Sequence, residues 1–130
     1  MNFNKAIGIT LLIITFFFSC SNDDDSSGNE SIIYQEGNIT ITLKKIDDGR
    51  CPSNINCVWG GNAEVKMTIA NEDESMDFTL NTAGYINEGL NFPTSASIFD
   101  LHIELIALQP YPEETVPLPL EDYTVSIQVN

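Results

Sequence analysis

Basic side chains are scarce in this chain, which sets 5 Lys and Arg against 19 Asp and Glu for a formal net charge of −14 over 130 residues. Nucleic-acid binding draws its affinity from cations that displace phosphate counterions, so that class is excluded. Histidine is scarcer still: every histidine-dependent mechanism would have to run through His102. There is no G-x-S-x-G nucleophile elbow and no D-x-D-x-D-G calcium loop. Nor is there an apolar run of the roughly 20 residues that a membrane-spanning helix needs. Sustained helical periodicity is also missing, which points away from α and α/β architectures.

The first 25 residues are organised differently from the rest. Lys5 precedes the thirteen-residue uncharged run at 6–18, AIGITLLIITFFF, followed by the small residue Ser19 and then Cys20. That run is too short to span a bilayer but suits the apolar region of a secretory signal. Phe17-Phe18-Ser19-Cys20 resembles the lipobox of bacterial lipoproteins, with Phe17 where an aliphatic residue is common. Ser21-Asn22-Asp23-Asp24-Asp25 resembles the acidic stretch after the lipidated cysteine in Bacteroidota-type lipoproteins. The resemblance implies a signal peptide over 1–19, a lipid on Cys20, attachment to the membrane through that anchor, and display at the outer membrane and cell surface. The competing expectation is a cleaved signal that leaves Cys20 as a free thiol.

Apart from Cys20 and Glu30, residues 20–30 are Ser, Asn, Asp and Gly, with no large apolar side chain, so they read as a flexible tether. Residues 31–130 are enough chain for one core. Removal of Lys5 with the signal leaves 4 basic and 19 acidic residues, a charge of −15. With Cys20 acylated, Cys51 and Cys57 remain as an even pair in an exported chain, which predicts a disulfide. Two thiols and the distant His102 are too few for a tetrahedral zinc site.

Period-two alternation dominates the domain. Ile39, Ile41 and Leu43 alternate with Thr40, Thr42 and Lys44, and similar patterns run over 63–70, 75–81, 99–105 and 123–129. Short strands are expected at 31–36 and within 82–97 as well. Each strand has one apolar face, so the prediction is an all-β protein, an antiparallel β-sandwich of immunoglobulin-like style, with a small β-barrel as the alternative. Asp47-Asp48-Gly49 reads as the end of a strand. Gly60-Gly61 reads as a bend, and the prolines at 110, 112, 117 and 119 make 109–120 a stiff extended loop.

Asp100, His102 and Glu104 would form a row on one strand face and are the weak metal-site candidates. A solvated face is the simpler explanation of such a row, and neighbours in it stand about 7 Å apart. No catalytic residue and no cofactor is assigned. The acidic clusters Asp47-Asp48, Glu72-Asp73-Glu74, Glu113-Glu114 and Glu121-Asp122 read as solvated turns. Trp59 faces the core if strand parity runs unbroken from Ala63, and faces outward if Gly60-Gly61 bulges; the unbroken parity is the simpler expectation. Binding candidates are Asn54, Ile55 and Asn56 in the cysteine loop, then Trp59, Tyr85, Phe92 and Tyr111.

Arg50-Cys51-Pro52, Cys57, Trp59, Gly61, Ala63 and Val65 together resemble an R-C-P-x4-C-x-W-x-G-x-A-x-V segment of small exported β-rich bacterial proteins. The resemblance implies fold and compartment but no activity. The leading expectation is a tethered, non-catalytic binding domain for an envelope glycan or a partner protein. A peptidase-inhibitor-like regulator that presents the Cys51–Cys57 loop is the alternative, and a small envelope hydrolase a third.

Overall fold

The structure is a computed structural model and describes residues 30–84, 86–87 and 90–130. The signal, Cys20 and nearly all of the tether lie outside these, as does Tyr85.

The chain folds as an antiparallel β-sandwich, with open rather than barrel-closed sheets. One sheet holds β1 (Ser31–Glu36), β2 (Ile39–Arg50), β3 (Gly61–Ala70) and β4 (Ser75–Asn81) in that order. Two short strands, β5 (Ile86–Asn87) and β6 (Leu90–Asn91), pair with each other. The second large sheet orders β7 (Ser95–Ile98), β8 (Leu101–Gln109) and β9 (Thr124–Val129). Each large sheet is a simple meander, so consecutive strands lie side by side.

The alternation read from the sequence builds the core directly. Ile41, Leu43, Ala63, Val65, Met67, Ile69 and Leu80 from the first sheet face Ile98, Ile103, Leu105 and Leu108 from the second, all buried. Val125, Ile127 and Val129 of β9 pack against this core from the side. Asn71 shapes the β3–β4 turn, because its Oδ1 accepts the backbone N–H groups of Asp73 and Glu74, both at 2.9 Å. Buried Asn81 fastens the chain where it leaves β4. Its side-chain oxygen accepts from Asn62 Nδ2 at 2.8 Å, and its own amide donates to the Pro93 carbonyl at 3.0 Å.

The strands are less regular than period two suggests. Between Leu43 and Lys45 the pairing of β2 with β3 shifts by one residue, leaving Lys44 as a bulge. Directly opposed residues share a face. Before the bulge Ile41 and Leu43 share the inner face with Ile69 and Met67; after it Ile46 and Asp48 share that face with Val65 and Ala63. A second bulge, at Ile106 in β8, makes Leu108 rather than Ala107 the next buried residue after Leu105 and leaves Ile106 exposed.

Three expectations are corrected here. Asp47-Asp48-Gly49 does not end a strand, because β2 pairs with β3 through to Arg50 opposite Gly61. Asp48 is therefore not in a solvated turn. Asp100 is not part of a strand row with His102 and Glu104: Phe99 and Asp100, at φ 53° and 62°, make the two-residue turn between β7 and β8. Phe99 holds that left-handed backbone because its ring packs against the core.

Candidate functional site

The long hairpin β2–β3 ends in the loop 51–60. Its base is closed twice, by the Cys51–Cys57 disulfide and by a 2.9 Å hydrogen bond from Cys51 N–H to the Gly60 carbonyl. Closure brings two backbones so close that only glycine fits at position 61. Gly61 has φ +75°, and a Cβ there would stand 2.2 Å from the Gly49 carbonyl oxygen.

Because the bulge at Lys44 reverses the parity of β2, Asp48 points inward, and Arg50, two residues on, follows it. Both side chains are buried, at 4% and 8% exposure. The guanidinium donates from Nε to Asp48 Oδ1 at 2.8 Å and from Nη2 to Oδ2 at 2.7 Å, the parallel fork that suits a carboxylate. Tyr123 donates its hydroxyl to Asp48 Oδ2 at 3.1 Å. Arg50 also reaches the other sheet, donating from Nη1 to the Leu108 carbonyl at 2.8 Å and from Nη2 to the Pro110 carbonyl at 2.9 Å. Its planar face lies 5.1 Å from the centre of the Tyr111 ring. Four of the five guanidinium N–H groups and both carboxylate oxygens are hydrogen-bonded, the partners a buried ion pair needs to offset its desolvation.

Burial pushes the Asp48 carboxyl up, but the hydrogen bonds and charge of Arg50, with the Tyr123 hydroxyl, outweigh it and hold the group below the usual aspartate value. The Tyr123 phenol is raised, by burial first and then by the Asp48 charge.

Around this pair lies a pocket of about 500 Å³. Pro52, Pro110, Tyr111, Val116, Leu118 and Tyr123 supply apolar and aromatic wall, and Glu113 and Glu114 supply the acids at its margin. One further bond joins the cysteine loop to the proline loop, from Ser53 N–H to the Pro112 carbonyl at 3.0 Å. The loops 51–60 and 109–120 therefore lie at one end of the sandwich. Arg50 and Tyr111 line both this pocket and a second hollow bordered by Gly60, Gly61, Thr82, Ala83 and Ile106.

The residues singled out from sequence are distributed unevenly. Asn54, Ile55 and Asn56 are exposed on the cysteine loop, and Tyr111 is 47% exposed in the pocket wall. Phe92 is half-buried beyond β6, away from the pocket lining. Trp59 corrects the core expectation: it is 55% exposed, because β3 begins only at Gly61 and the positive φ there breaks the parity that would have turned Trp59 inward. His102 and Glu104 lie on β8, where His102 is exposed with Ser97 Oγ 3.5 Å from its Nδ1. Among the described residues, no three His, Cys, Asp or Glu side chains are grouped to hold a metal ion.

Sequence reasoning missed the central pair. Its signal was present: Leu43 and Ile46 are three apart, as are Leu105 and Leu108, so the apolar period slips once in each strand. A slip of that kind marks a bulge, and a bulge changes which polar residue is buried. Comparison with protein-family models, with curated proteins and with solved structures finds no match to this chain.

Proposed function

We propose that this chain is an exported lipoprotein anchored through Cys20, whose sandwich is a non-catalytic binding domain for an envelope glycan or partner protein. The observation that carries the binding role is the pocket beside Arg50. Its volume of about 500 Å³ falls in the range of ligand sites, and it combines apolar wall with a few polar groups. A buried, hydrogen-bonded ion pair and a short disulfide loop hold the wall in place, which lowers the ordering cost of binding.

Anchor and binding are tested separately. Cells expressing the full chain are labelled with an alkynyl fatty acid. The protein takes up label, Cys20→Ala does not, and surface protease removes the wild-type domain from intact cells. Labelling that survives Cys20→Ala rejects the anchor. For binding, the full chain is screened against envelope glycans and cross-linked envelope proteins. Val116→Trp, which fills the pocket, abolishes capture; capture unchanged by that substitution rejects the pocket.

A second reading is supported by the loop itself. Ile55 is exposed within the ring that the disulfide closes, and Val58 and Trp59 are exposed just beyond it, before the Cys51–Gly60 hydrogen bond, the form of a constrained inhibitor loop. Inhibition of envelope peptidases that disappears on reduction would favour it.

A further inference from the structure

The groups that face the pocket beside Arg50 point to the charge of its ligand. Arg50 is the one cation in its lining, and its charge is spent on Asp48, 2.7 Å away. Its three nitrogens make four hydrogen bonds, to Asp48 and to the Leu108 and Pro110 carbonyls, and the guanidinium lies 5.1 Å from the centre of the Tyr111 ring. The Asp48 carboxylate is equally spent: Oδ1 accepts from Arg50 Nε and from the Arg50 backbone N–H, and Oδ2 from Arg50 Nη2 and the Tyr123 hydroxyl. Pro52, Pro110, Pro112 and Pro117 contribute wall with no N–H to donate. A carboxylate or phosphate entering this pocket would lose its water and find no free cation in return.

Glu113 and Glu114 are the acids of the lining that the ion pair does not use, and neither takes part in a salt bridge among the described residues. The three described lysines, Lys44, Lys45 and Lys66, are each bridged to an acid away from the pocket, Lys44 to Glu30 and the other two to Asp47. The walls offer the Tyr111 and Tyr123 rings together with Val116 and Leu118, of which Val116 is 69% exposed. Aromatic and aliphatic surface takes up an apolar body, and tyrosine faces attract a cation as well.

Taking the pocket as the binding site, as the functional reading does, we infer that it selects a cationic group on an apolar stem. The stem lies against Tyr111, Val116 and Leu118, and an ammonium or guanidinium is met by Glu113 and Glu114. The same chemistry is carried by a small organic amine and by a lysine or arginine side chain of a partner peptide. The net charge of −14 on the whole chain favours the approach of either.

The test is calorimetry on the full chain in neutral detergent, with phenethylamine and phenethyl alcohol as probes that share one stem and differ in charge. A lysine-containing peptide and its Lys→Gln counterpart form the second arm. The amine binds at least about tenfold more tightly than the alcohol, as a charge-assisted contact requires. Glu113→Gln with Glu114→Gln removes that difference, and added salt shrinks it. The peptide arm shows whether a basic side chain is accepted as well as a free amine. If alcohol and amine bind alike and both are lost in Val116→Trp, the cation preference is overturned while the pocket stands as a binding site. If neither probe and neither peptide binds, the cation preference is overturned, and the glycan and cross-linking screen with Val116→Trp decides the pocket by itself.

Discussion

Arg50 holds Asp48 through two hydrogen bonds of 2.8 and 2.7 Å although the residues are only two apart on one strand, and it does so while bonded to the Leu108 carbonyl of the opposite sheet and the Pro110 carbonyl just beyond it. A short-range ion pair thereby becomes a long-range clasp. It fixes the end of β2 against Leu108 and Pro110 and aligns both walls of the pocket.

Removing one member of the pair should cost far more than removing both. Arg50→Leu leaves a buried carboxylate without its cation and is expected to destabilise by about 3–5 kcal/mol. The Asp48→Leu, Arg50→Leu double variant should be less damaged than the sum of its singles. Urea titration of the four proteins measures the coupling, and additive losses would contradict the clasp.

Acid should loosen the same pair. The Asp48 carboxyl is lowered in the folded state, so the unfolded chain takes up its proton first as pH falls. Its contribution is complete well above the unfolded value of about 3.9 and is lost as pH drops through the lower folded value. Unfolding free energy measured from about pH 5 down to pH 2 should fall. It should fall less steeply in Asp48→Asn, which has no proton to take up.

Gly61→Ala is expected to be among the most damaging single changes outside the core. It combines a left-handed backbone with a Cβ 2.2 Å from the Gly49 carbonyl oxygen, for a loss of about 3 kcal/mol or more. Gly60→Ala is the control, because nothing lies within 4 Å of a Cβ there. Thermal melts of the two variants should differ clearly.

Trp59→Ala should change stability by less than about 0.5 kcal/mol, as for other surface positions. A core tryptophan would cost about 3–5 kcal/mol. The wild-type fluorescence, which comes from this one tryptophan, should be readily quenched by acrylamide.

Reduction of Cys51–Cys57 should lower stability by only about 2 kcal/mol, because the closed loop is short. The β signal in circular dichroism should persist, since no core residue lies between the two cysteines. Loss of the whole fold on reduction would show that the loop supports more than its own shape.

Strands, their apolar faces and the sandwich they build were legible in the sequence, because side chains alternate across a pleat and that alternation is local. Ile41, Leu43, Val65, Met67, Ile69 and Ile103 all sit where the period of two puts them. The cysteine pairing was legible too, since two close thiols in a chain read as exported have one simple solution. The candidate site was read in fragments: Tyr111 and the segments 51–57, 82–97 and 109–120 were singled out, of which the first and last border the pocket, but the ion pair between them was not.

Tertiary structure alone decided the rest. One extra residue at Lys44 reverses every side chain after it, so Asp48 passed from an apparent turn to the buried face. A left-handed Gly61 likewise put Trp59 outside rather than inside. The bond from Arg50 to the Leu108 carbonyl spans 58 residues, and no local pattern encodes it. It exists because the two sheets, each predictable by itself, stack with the end of β2 over the end of β8, and a buried charge must find its partners wherever that stacking places them.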